Sequence, residues 1–67
     1  MRFNLIKLRK TLKLSQEDMA KKLDVSRPHY SNIENGKADP TFGVMKKFEE
    51  LFKEQYEDIW ELFRIES

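Results

Sequence analysis

Residues 15–36 read Ser-Gln-Glu-Asp-Met-Ala-Lys-Lys-Leu-Asp-Val-Ser-Arg-Pro-His-Tyr-Ser-Asn-Ile-Glu-Asn-Gly, and this stretch decides the fold. Ser15 offers a hydroxyl to the free N–H groups of a helix start. Asp18 follows three residues on, as in a capping box, and with Glu17 it sets negative charge at the positive helix end. A helix therefore begins at Gln16, turns Met19, Ala20 and Leu23 inward, and stops near Asp24, a short polar residue that tolerates a left-handed turn. Ser26 is a second N-cap, and Pro28 sits in the first turn beyond it, where a missing N–H breaks no helical bond. The second helix runs about Arg27 to Glu34, turns Tyr30 and Ile33 inward and ends at Asn35-Gly36, with Gly36 free to take a left-handed cap. Two short helices across such a turn, with small Ala20 where they approach, describe a helix-turn-helix over about residues 16–35.

On the N-terminal side, Leu5, Leu8 and Leu12 recur at spacings of three and four within 2–13, which predicts an amphipathic helix. On the C-terminal side, residues 37–40 form a loop and Thr41 caps a fourth helix. Its apolar stripe is Phe42, Val44, Met45, Phe48, Leu51 and Phe52. Tyr56, Ile59, Trp60 and Phe63 continue the helical rule after a weak break near Lys53-Glu54, which predicts a fifth helix. No Gly or Pro separates Leu51 from Gln55, so the last two helices also read as one bent helix. The expected architecture is all-α, a compact five-helix domain over residues 1–67 with the helix-turn-helix formed by helices 2 and 3.

The chain has 67 residues, a net charge of +1, one His and no Cys. A core of this size supplies only about 3–5 kcal/mol. Without Cys there are no disulfides, and one His cannot make a structural zinc site, so dense helix packing or dimerisation must hold the domain together. Apolar runs of two or three residues fall far short of a membrane span, and the start Met-Arg-Phe-Asn lacks a signal-peptide core. A cytoplasmic protein without membrane, metal or cofactor is expected. No nucleophile, base and orienting partner come together in the pattern, His29 included, so the chain reads as no enzyme. The charge is split: residues 1–37 hold nine Lys and Arg against four Asp and Glu, and residues 38–67 hold four against eight. A basic front suits a polyanion.

In a helix-turn-helix the first helix crosses the phosphate backbone and the second enters the DNA major groove with its N-terminal residues at base edges. The outward residues there are Arg27, Pro28, His29, Ser31 and Asn32. Arg can bond bidentately to guanine and Asn to adenine, while Pro or His can touch a thymine methyl. Ser15, Gln16, Ser26, Asn35 and Lys37, at helix ends and in the loop, have donors suited to phosphate oxygens.

Leu-Arg at 8–9, Leu-Ser-Gln-Glu-Asp-Met-Ala at 14–20, Val-Ser-Arg at 25–27, Ser-Asn-Ile-Glu-Asn-Gly-Lys at 31–37 and Pro40 resemble the XRE or Cro/CI-type lambda-repressor-like family, over roughly residues 5–63. The resemblance implies the five-helix fold of that family. It also implies that Gln16 contacts the DNA backbone or braces a base-reading neighbour, and that Arg27, Pro28 and Asn32 stand where relatives touch bases. Arg9 and Glu34 match a structural ion pair joining the first helix to the end of the recognition helix. Two departures matter: Asp24 stands where relatives often carry Gly, and Ala38-Asp39 occupies a loop where some carry basic residues. Asp39 then lies close to phosphates, leaving Lys37 as the loop's main backbone contact. Pro28 replaces a more usual small polar residue, so its base preference cannot be copied from relatives.

The expected function is a sequence-specific DNA-binding transcriptional regulator, a repressor that binds its operator as a homodimer. A dimer seam at Trp60, Phe63 or Ile65 would set two recognition helices about 34 Å apart on successive half-sites. The alternative is an antitoxin-like or other interaction module whose acidic half binds a protein partner, with DNA binding secondary.

Overall fold

The computed structural model describes residues 1–55 and 58–65, and of Ile59 and Trp60 the backbone alone. Its helices are α1 (Phe3–Thr11), α2 (Gln16–Leu23), α3 (Arg27–Glu34), α4 (Phe42–Phe52) and a single turn, α5 (Ile59–Leu62). Three of the starts are fixed by side chains. Ser15 Oγ accepts from Asp18 N at 3.0 Å while Asp18 Oδ2 accepts from Ser15 N at 3.0 Å, a complete capping box. Ser26 Oγ accepts from His29 N at 3.2 Å, and Thr41 Oγ1 from Val44 N at 3.3 Å.

The first three helices end by one device. Lys13, Asp24 and Gly36 have φ of 60, 58 and 81°. Each left-handed residue returns its N–H to the carbonyl three residues back, as Gly36 does to Ile33 at 3.2 Å. The residue after it reaches five back: Leu14 to Arg9 at 3.1 Å, Val25 to Ala20 at 3.0 Å, Lys37 to Asn32 at 2.9 Å. Lys13 in this conformation stops α1 at Thr11, short of the expected Lys13. Lys13-Leu14-Ser15 and Asp24-Val25-Ser26 are thus the same turn used twice: a left-handed residue, a half-buried aliphatic, and a serine cap.

The core gathers Leu5 and Leu8 of α1, Met19, Ala20 and Leu23 of α2, Tyr30 and Ile33 of α3, Val44, Met45, Phe48 and Phe52 of α4, with Leu62 and Phe63. Phe48 is its aromatic centre, tilted on Phe52 at 4.6 Å and meeting Phe63 edge to face at 5.1 Å. Such pairs contribute about 0.5–1.5 kcal/mol beyond burial.

Three expectations change. The helix drawn over Tyr56 to Phe63 is here one turn, so four helices of two turns or more carry the fold. Of its described side chains, Leu62 and Phe63 reach the core. Tyr56 and the side chains of Ile59 and Trp60 lie outside the described residues. One bent helix is excluded, because α4 stops at Phe52 and residues 53–55 turn away. The stripe on α4 is narrower than its sequence: Phe42 is 80% exposed and Leu51 43%. Val44, Met45, Phe48 and Phe52 fill the seam between helices, leaving Phe42 before it and Leu51 to one side of it.

Candidate nucleic-acid interface

On α3, Pro28, Asn32 and Asn35 follow at i, i+4 and i+7, so they share the outermost face, and all three are exposed. Arg27 opens the helix, also exposed. His29 and Ser31 are half-buried rather than open, because each borders a core-facing neighbour, Ile33 and Glu34 respectively. Asn35 Nδ2 donates weakly to Ser31 Oγ at 3.5 Å, which leaves the second amide hydrogen of Asn35 free for another acceptor.

The polar groups at the helix ends keep donors to spare. Ser15 and Ser26 act as acceptors in their caps, so each hydroxyl proton remains available to an anion. Lys37 is exposed, and its backbone is fixed by the bond to Asn32 O, directly behind the left-handed Gly36. Ser15, Gln16 and Ser26 precede or open two helices whose N-termini carry free N–H groups and positive dipole ends.

Beneath this face lies a buried polar cluster. Arg9 Nε donates to Glu34 Oε2 at 2.5 Å and Arg9 Nη1 to Leu14 O at 2.9 Å. Gln16 Nε2 donates to Glu34 Oε1 at 3.1 Å. Gln16 therefore ties the first residue of α2 to the last of α3, and keeps one amide hydrogen for another acceptor. Burial alone would raise the Glu34 carboxyl, but Arg9, Tyr30 and Gln16 beside it hold it below the usual carboxylate range. Glu34 in turn raises Arg9 against the opposing effect of burial. Burial pushes the Tyr30 phenol far up, helped by the Glu34 charge. Tyr30 Oη lies in that charged field but has no partner of ordinary hydrogen-bond geometry among the described residues.

Sequence reasoning missed Arg2. Only 2% exposed, it donates Nε to Phe63 O at 2.7 Å, Nη1 to Ile33 O at 2.5 Å and to Ala38 O at 2.9 Å, and Nη2 to Asp39 Oδ1 at 2.8 Å. Its own N–H donates to Glu34 O at 2.8 Å. One guanidinium thus fastens the C-terminal end of α3, the loop carrying Lys37 and the chain after α5. It also partly neutralises Asp39, whose charge would otherwise oppose a phosphate beside Lys37. The sequence signal was faint: an Arg stands at the N-cap of α1 where a short polar capping residue is usual, and it makes no cap.

Of the expected seam residues, Phe63 is 8% exposed and packs on Phe48, so most of its ring is spent on the core. Ile65 is exposed, and the Trp60 side chain lies outside the described residues. No group of three or more His, Cys, Asp or Glu among the described residues could hold a metal ion. No helix among them is long and apolar enough to cross a membrane.

A family model described as helix-turn-helix matches residues 5–59. An uncharacterized HTH-type transcriptional regulator of Methanocaldococcus jannaschii is 47% identical over 47 residues, which cover 70% of this chain and 71% of that protein. No solved structure matches. The matched stretch takes in nearly all of α1, the whole of α2 to α4, both serine-capped turns and the buried Arg9–Glu34 pair, and the chain belongs to this helix-turn-helix family.

Proposed function

We propose that the protein is a non-enzymatic, sequence-specific DNA-binding transcriptional regulator of the Cro/CI type, a repressor that covers its operator as a homodimer. The observation that carries this reading is the division of labour on α2 and α3. Arg9, Gln16 and Glu34 are spent on one another beneath the surface, whereas Arg27, Pro28, Asn32 and Lys37 stand exposed with no side-chain hydrogen bond or ion pair among the described residues. Arg27, Pro28 and Asn32 read base edges in the major groove, with His29 and Ser31 at the margin because they are half-buried. Ser15, Gln16, Ser26, Asn35 and Lys37 hold phosphates and set the register. The M. jannaschii relative, by name a transcriptional regulator, supports the role in gene control. A domain about 27 Å across seated on an operator blocks access to that DNA, which is how the proposed repression would act.

Selection from a randomised duplex library at near-physiological salt tests the reading. An enriched motif made of two inverted half-sites is expected. A folded protein that enriches no motif overturns the proposal and gives the interaction-module reading its place.

A further inference from the structure

Phe42 is a large apolar side chain left 80% exposed at the start of α4, beside a groove of about 400 Å³ lined by Arg2, Asp39, Pro40, Met45 and Phe63. Nothing in the fold requires an aromatic residue there, since the core is closed by Val44, Met45, Phe48 and Phe52 one step around the helix. Phe42, Lys46 and Glu49 of α4 and its C-cap Lys53, whose backbone still has helical dihedrals, follow at i, i+4, i+7 and i+11, forming one exposed stripe. Lys46, Glu49 and Lys53 make no ion pair among the described residues, although Lys46 and Glu49 are neighbours on the helix.

We propose that this stripe is the surface on which a second copy of the chain docks, α4 against α4 in antiparallel sense about a two-fold axis. The order of residues is self-complementary. Turning the stripe end for end sets Lys46 opposite Glu49 of the other copy and Glu49 opposite its Lys46, while each Phe42 meets the stem and ammonium of the other Lys53. Two ion pairs and two cation–aromatic contacts form together, as an isologous interface demands. A pair of three-turn helices covers less than the about 800 Å² per partner of a standard interface, so the dimer is weak in free solution. DNA carrying two half-sites would add the missing free energy by holding both copies at high effective concentration. The proposal rests on the homodimer part of the function above and is an alternative to the seam expected at Trp60, Phe63 or Ile65.

The test uses the full chain without DNA, so that its failure is separate from failure of DNA recognition. Self-association is followed by sedimentation across a concentration series reaching about 1 mM, a range suited to weak complexes. Lys46→Glu and Glu49→Lys are both surface changes, and circular dichroism checks that each variant stays folded. Each alone sets like charges face to face and should weaken self-association at least about tenfold. Mixed in equal amounts, the two variants should associate at least as well as the parent, because every facing contact again joins an acid to a base. Phe42→Ser should weaken the parent dimer without unfolding it. A parent that stays monomeric throughout, single variants that dimerise like the parent, or a mixture no better than its components would each overturn the proposal.

Discussion

Glu34 carries most at the scale of single residues, because it is buried, charged and shared. It receives Arg9 from α1 and Gln16 from α2 while closing α3, so one carboxylate ties three helices together. Breaking such a buried pair from one side costs about 3–5 kcal/mol, comparable with the stability of a domain this small. Its folded pKa is lowered, so its contribution is present above the unfolded value near 4.5 and is lost as pH falls through the folded one. Urea midpoints should therefore drop progressively below about pH 4.5, and Glu34→Gln should start lower and flatten that slope. Arg2 makes a second residue-scale demand. Lysine has one ammonium in place of a planar fork and cannot serve the carbonyls of Phe63, Ile33 and Ala38 with Asp39 at once. Arg2→Lys should cost about 2–4 kcal/mol in chemical denaturation, through acceptors left without a donor.

At the scale of elements, most of the architecture was legible because local chemistry and tertiary packing agree. Ser15, Ser26 and Thr41 each start a helix where a serine or threonine precedes apolar periodicity, and Gly36 and Asp24 end helices as short or side-chain-free residues do. Lys13 was illegible, since a long side chain in the left-handed region is disfavoured and only the tertiary turn holds it there. The cue was present in repetition: Lys13-Leu14-Ser15 has the same plan as Asp24-Val25-Ser26. Lys13→Gly should be neutral or stabilising by up to about 1 kcal/mol in thermal unfolding, in contrast to an ordinary helix glycine. The end of the chain misled for a different reason. Periodicity marks which residues could face a core but not whether space remains, and Phe42 and Leu51 fit the period while standing outside. In the candidate interface, chemistry placed Arg27, Pro28 and Asn32 correctly on the open face. It could not foresee that Gln16 would turn to Glu34, or that Arg2 would hold the loop behind Lys37.

Across the whole molecule the net charge of +1 conceals a dipolar distribution, +5 over residues 1–37 and −4 over residues 38–67. The positive half of the sequence contains the helix-turn-helix, and a net positive charge there favours the approach of a polyanion to that motif. Binding should then weaken steeply with salt, by roughly one power of concentration per phosphate neutralised, and Lys37→Ala should reduce that slope by about one. Base reading is proposed for the exposed start of α3. Its most direct measurement is the affinity of the parent and of Arg27→Ala, at fixed salt, for the selected duplex and for one of scrambled sequence. The predicted result is a loss of about 1–3 kcal/mol on the selected duplex with little change on the scrambled one. An equal loss on both would contradict it and reduce Arg27 to a phosphate contact.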